Sequence, residues 1–150
     1  MIRFTQPLNY IHNLRSILNF QEKKMFSTLN KIGKESLEIW IQTLKTQNPK
    51  KMASLYSKDA VLLPTLDSSL RDTNKKIEDY FKTFLAKGPS CEIQEIQDFQ
   101  LCDTAVTVVG HYGFKFNDKS SADARFTYIL TKDNESNKWL IKHHHSSLQP

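Results

Sequence analysis

Between residues 91 and 147 the chain carries four strand-like segments with almost nothing between them. They run over residues 91–101, 105–116, 122–132 and 138–147, with the alternation and the β-branched and aromatic content of strands. The connections Asn117-Asp118-Lys119-Ser120 and Asp133-Asn134-Glu135-Ser136-Asn137 are built from turn residues. Parallel neighbours would need a crossover of about a dozen residues or more. No connection here is that long, so consecutive segments must pair antiparallel.

What precedes them is helical. Leu37, Trp40, Ile41 and Leu44 recur at i, i+3, i+4 and i+7, which predicts a helix with one buried stripe. Asn48-Pro49 ends it and opens a short second helix reaching about Tyr56. Residues 60–63 read as a short strand cut by Pro64. Asp72 or Thr73 can cap a third helix whose stripe is Ile77, Tyr80, Phe81, Phe84 and Leu85. Gly88-Pro89 stops that helix. Helices first and an antiparallel sheet afterwards is an α+β layout. A sheet curled around a helix makes a cone with one open mouth, and the mouth is the natural pocket.

The 150 residues suit one domain with a single core, and 39% hydrophobic content suits a soluble globular protein. No stretch is long and apolar enough to span a bilayer, so no membrane role is expected. The net charge of +5 comes from dispersed lysines without an Arg-rich stripe, which argues against a nucleic-acid partner. Cys91 and Cys102 match no zinc spacing and read as free thiols, fitting the cytoplasm. Residues 1–33 read as an N-terminal extension ahead of a domain at 34–150. Its first 21 residues hold no Asp or Glu but carry Arg3 and Arg15, with Ile11, Leu14, Ile17 and Leu18 at helical spacing. An extra helix, or a shorter product starting at Met25, is the favoured reading. An organelle presequence is the alternative.

The last segment ends in His143-His144-His145-Ser146-Ser147. On a strand, His143, His145 and Ser147 face one way and His144 and Ser146 the other. Three consecutive histidines there cannot all ligate one metal ion. They can present imidazole and hydroxyl groups on the wall of a sheet.

Four stretches carry a family resemblance: residues 60–65 (AVLLPT), 77–81 (IEDYF), 124–128 (ARFTY) and 139–147 (WLIKHHHSS). In this order they resemble the association domain of calcium/calmodulin-dependent protein kinase II. That family lies in the nuclear transport factor 2-like, SnoaL-like superfamily of cone-shaped α+β folds. The likeness covers about residues 37–150. The HHHSS ending is similar to the subgroup described as iota-class carbonic anhydrases, some of which work without a metal. The resemblance implies a homodimer or larger ring. It also implies a catalytic pocket of Thr65, Tyr80, His144 and Ser146. Tyr128, His111, His145 and Ser147 are further substrate-binding candidates, and the choice between His144/Ser146 and His145/Ser147 stays open. Where the kinase hub carries cavity arginines, this chain has His111, Tyr128 and Ser146. It has no Gly-rich phosphate loop, HRD or DFG, so no kinase activity is expected.

In such a pocket Thr65, Tyr80 and Ser146 would hold water and a forming bicarbonate. His144 would titrate near neutral pH and take the proton. Phe84, Phe114 or Phe126 would line a seat for carbon dioxide. No cofactor is expected. The alternative is zinc or manganese on His111 with His143 and His145, or with His144. A second class of reading is a non-catalytic hub that binds a small anion. A third, a cyclase or isomerase, requires an Asp/His pair, with Asp67, Asp72 and Asp79 near the right segments.

Overall fold

A computed structural model describes residues 31–65 and 67–150. The extension proposed for residues 1–33 lies almost wholly outside the described residues.

Helix α1, Ile32–Lys45, forms where the apolar stripe predicts it, and Leu37, Trp40, Ile41 and Leu44 are buried along one face. Gln47 turns the chain with a φ of 50°. Asn48 then caps α2, Pro49–Ala53, accepting from the Lys51 amide at 3.0 Å. Strand β1 is Tyr56–Leu63, so it starts at Tyr56 and not at Ala60, and the second helix stops earlier than expected. The cause is tertiary: Tyr56 pairs with Ile141 on the last strand. Helix α3, Asn74–Leu85, is capped by Thr73, whose hydroxyl accepts from the Lys76 amide at 3.2 Å. Asp72 instead pairs with the Lys76 side chain. Gly88, at a φ of 61°, supplies the left-handed turn after α3.

The sheet contains β2 (Ser90–Cys102), β3 (Ala105–Lys115), β4 (Ser121–Lys132) and β5 (Trp139–Leu148), in the order β1-β5-β4-β3-β2. The pairs β2–β3, β3–β4 and β4–β5 are antiparallel, as the short turns require. β1 joins β5 in parallel. The helices fill the inner face, with Trp40 of α1 at the centre. Its ring stacks on Tyr112 of β3 and meets Phe81 of α3, Tyr128 of β4 and His144 of β5 edge-on, with centroids 6.1–6.4 Å away. Each such aromatic pair contributes about 0.5–1.5 kcal/mol beyond burial of its area.

One irregularity decides the site. Leu130 and Ile129 are consecutive on β4, but they pair with Ile141 and His143 on β5. Lys142 is therefore the extra residue of a β-bulge. The bulge resets the phase of the strand, so Ile141 and His144, three apart, both face inward and are buried. Ser146 follows His144 on the inner face. His145 is exposed, and His143 and Ser147 are half-buried. No helix among the described residues is long and apolar enough to cross a membrane.

Candidate functional site

Thr65, Tyr80, His144 and Ser146 line one cavity on the inner face, walled by Phe84, Tyr112 and Phe114. The void is ≈ 370 Å³ with its mouth included, but the centre of a water molecule can occupy only ≈ 20 Å³ of it. That is space for about one water. Thr65 and Tyr80 are partly buried at the rim, while His144 and Ser146 form the buried wall.

Each side chain is delivered by a different feature. Pro64 ends β1 and leaves Thr65 just beyond the strand. The parallel pairing of β1 with β5 then sets Thr65 beside Ser146, 81 residues away in sequence. Tyr80 sits at the edge of the α3 stripe, packed on Phe81 and Phe84 at centroid distances of 5.1 and 5.6 Å. No hydrogen bond engages its hydroxyl among the described residues.

The polar atoms form one connected chain. The Trp40 indole donates to the Tyr56 hydroxyl at 3.1 Å. Tyr56 Oη lies 2.9 Å from His144 Nδ1, and Tyr112 Oη lies 3.3 Å from His144 Nε2. Tyr112 donates to Ser146 Oγ at 2.7 Å, and Ser146 Oγ is hydrogen-bonded to Thr65 Oγ1. Both ring nitrogens of a fully enclosed histidine are thus engaged by tyrosines.

Burial dominates the electrostatics. It pushes the His144 imidazolium down to about 3, aided by His143 and His145 on the same strand. His144 is therefore neutral at pH 7. The expectation that it titrates near neutral pH is overturned, because no carboxylate compensates the burial. Burial likewise raises Tyr56 and Tyr112 far above the ordinary tyrosine range. It also raises Tyr80, to which Asp67 adds and which Arg71 partly offsets. All three hydroxyls keep their protons.

The remaining expected site residues lie elsewhere. His111, His145 and Ser147 line an open groove on the outer face, with Arg125 and Glu95, whose void with its mouth included is ≈ 890 Å³. His111 sits 3.5 Å from Glu95, and Arg125 donates to Ser147 at 3.1 Å. They cannot bind a substrate held in the inner cavity, because the pleat turns them away from it. Tyr128 does face inward, but behind His144, with ring centroids 4.0 Å apart. It lines a separate small void under α1, and its buried hydroxyl lacks a partner among the described residues. Phe126 backs Tyr112 at 4.6 Å and does not line the cavity, whereas Phe84 and Phe114 do. Sequence reasoning missed Trp40, Tyr56 and Tyr112 as members of the polar chain. Trp40 and Tyr112 sit in apolar patterns whose signal is burial, and Tyr56 read as a helix end.

A family model for the calcium/calmodulin dependent protein kinase II association domain matches residues 34–150. The chain belongs to that family. A solved structure from Xanthomonas campestris, described as such an association domain, is 37% identical, with 76% of this chain and 83% of that one covered at a TM-score of 0.72. A scytalone dehydratase-like structure from Novosphingobium aromaticivorans is 10% identical, covering 85% and 89% at a TM-score of 0.70. A nuclear transport factor 2-like protein of unknown function from Pseudomonas putida is 12% identical, covering 81% and 87% at 0.69. The last two share the cone fold alone. Among curated proteins none matches this chain.

Of the imidazole sets considered for zinc or manganese in this association domain, the one that includes His144 is divided between the two faces of the sheet. His144 faces inward with both nitrogens engaged, whereas His111 and His145 lie on the outer face. Among the described residues no three His, Cys, Asp or Glu side chains converge to hold a metal ion. The Asp/His pair of a cyclase or isomerase is not formed by the aspartates considered for it. Asp67 is bound to Arg71, Asp72 to Lys76, and Asp79 to Lys75 and Lys82. None of the three lines the cavity.

Proposed function

We propose that the cone cavity binds bicarbonate and interconverts it with carbon dioxide. One observation carries this reading: the hydroxyls of Thr65, Ser146 and Tyr80, from the turn after β1, from β5 and from α3, converge on a single small void. Hydroxyls fixed in a dry site stabilise negative charge developing on an oxygen without reorganising. In this reading Thr65, Ser146 and Tyr80 are the catalytic residues. Thr65 and Tyr80 donate to the oxygens of the forming bicarbonate, and Ser146 holds Thr65 in place and offers the water an acceptor. The water oxygen bonds to the carbon of carbon dioxide, one C=O electron pair moves onto oxygen, and the proton leaves through the mouth to buffer. Phe84 and Phe114 give carbon dioxide an apolar seat. His144 does not take the proton. A water and a carbon dioxide together need more room than the closed cavity offers, so the rim at Thr65 and Tyr80 has to open during turnover.

Stopped-flow carbon dioxide hydration with chelator-treated protein tests the proposal. Activity should survive chelation. Losing one donor in Thr65→Ala or Tyr80→Phe should lower it by about 10²-fold or more. Activity lost on chelation and restored by zinc or manganese would remove the metal-free reading.

A second reading is an oligomerising domain that holds a small anion without chemistry. The room for about one water and the neutral His144 favour it. No hydration activity in any form, together with a homodimer or larger ring by light scattering, would make it the better account. The free cysteines Cys91 and Cys102 suit the cytoplasm for either reading.

A further inference from the structure

The polar chain behind the cavity has a direction, and its closed end sets it. The indole of Trp40 can only donate. The Tyr56 hydroxyl accepts that bond and has one proton of its own, whose only acceptor among the described residues is His144 Nδ1. A buried hydroxyl without an acceptor is costly, so Nδ1 must be unprotonated. Neutral His144 then carries its hydrogen on Nε2 and donates to Tyr112. The other end agrees. Tyr112 also has one proton, and its shorter contact, 2.7 Å to Ser146 against 3.3 Å to His144, takes it. Tyr112 must therefore accept from His144. Ser146, having accepted from Tyr112, gives its proton to Thr65. The Thr65 hydrogen is left for the cavity.

We propose that Trp40 and Tyr56 act as positioning residues which lock His144 in the Nε2–H tautomer. The whole chain then donates toward the mouth and selects a small oxyanion such as bicarbonate or a carboxylate. Every group from Trp40 to Thr65 uses its single proton in one direction. Running the chain backwards would put a hydrogen on Nδ1 and strand the Tyr56 proton against an indole that cannot accept it. At the rim the unengaged Tyr80 hydroxyl adds a second donor. The cavity thereby presents hydrogens to a guest, which suits acceptor oxygens and disfavours ammonium or guanidinium groups. This explains why an enclosed histidine sits behind a hydroxyl site without being its base: it transmits orientation from Trp40 to Thr65. The inference deepens the bicarbonate reading, but its first half rests only on the chain itself.

The test combines ¹⁵N NMR of the histidine rings with binding of ¹³C-bicarbonate, on wild type, Trp40→Phe and Tyr56→Phe. Wild-type His144 should be neutral at pH 7, with hydrogen on Nε2 and an acceptor-type Nδ1. Tyr56→Phe removes the proton that claims Nδ1, and Trp40→Phe vacates space for a water that can accept the Tyr56 proton, so each variant opens the second tautomer. The Nδ1–H signal should gain population and bicarbonate binding should weaken at least several-fold. If Trp40→Phe fails to fold, Tyr56→Phe carries the comparison, and the wild-type tautomer stands by itself. An Nδ1–H tautomer in wild type would overturn the inference whatever the activity. So would unchanged bicarbonate affinity in folded variants, or a wild-type cavity that takes ammonium or guanidinium in preference to bicarbonate. The expected tautomer and binding without carbon dioxide hydration would uphold the inference and defeat only the enzymatic reading.

Discussion

Acidification from pH 7 to pH 5 will destabilise this fold chiefly through one side chain, His144. In the unfolded chain the imidazole titrates at about 6.5, whereas burial holds it to about 3 in the fold. Between those values the unfolded chain binds a proton that the folded protein refuses. Stability therefore falls as pH falls through that window, and is fully retained only above it. Treating the two values as a simple linkage gives a loss of about 2 kcal/mol by pH 5, growing to about 4 kcal/mol near pH 3. Carboxylates and the partly buried His143 also respond to pH, so the comparison needs His144→Gln, which retains an amide donor and acceptor but cannot titrate. Urea unfolding can be followed through the fluorescence of Trp40, whose ring centroid lies 6.1 Å from that of His144. Wild type should lose about 2 kcal/mol more than His144→Gln between pH 7 and pH 5. Parallel stability profiles would refute the reasoning, since they require His144 to gain its proton inside the folded protein. An NMR titration of the wild-type ring checks the same point: its shifts should stay flat from pH 7 down to about pH 4.

Other outcomes follow from particular contacts. A Cβ on Gly110 would lie 2.1 Å from the Glu95 carbonyl oxygen, at the bulge between Ile93 and Glu95. Gly110→Ala should therefore cost about 1–3 kcal/mol in a denaturant melt, and a neutral result would mean that β2 shifts freely. Phe81 is fully buried between Trp40, Tyr56 and Phe84, and Phe81→Ala should cost about 3–5 kcal/mol by the same assay. A neutral-pH thiol reagent should label Cys102 and spare Cys91. Cys102 is exposed, and its hydrogen bonds with Thr104 lower its thiol, whereas burial pushes Cys91 up to about 12. Mass mapping that finds Cys91 modified first would contradict the packing of β2.

The local pattern carried much of the fold because the physics there is local. An i, i+3, i+4, i+7 stripe at Leu37–Leu44 can bury only one way, as α1. Short polar turns after residues 116 and 132 leave β3, β4 and β5 no choice but antiparallel pairing. The stripe of α3 and its Thr73 cap were legible for the same reason. β1 was legible only in part. Its first residues, from Tyr56, are strand because β5 is there to pair with them, and that partner lies more than 80 residues away.

The site divides along the same line. Alternation alone placed His144 and Ser146 on one face and His143, His145 and Ser147 on the other. It did not say which face is the inside, and Ile141 as an apolar guide would have chosen the wrong set. The bulge at Lys142 resets the phase, and bulges are set by pairing across strands. Likewise, the sequence supplies Thr65 and Ser146 as hydroxyls, but only the parallel β1–β5 joint brings them into contact. The character of His144 is the clearest case. A histidine in a sequence carries an ordinary affinity for protons. Enclosure by Trp40, Tyr56, Tyr112 and Tyr128 removes the water that would stabilise its charge, and only the assembled fold can do that.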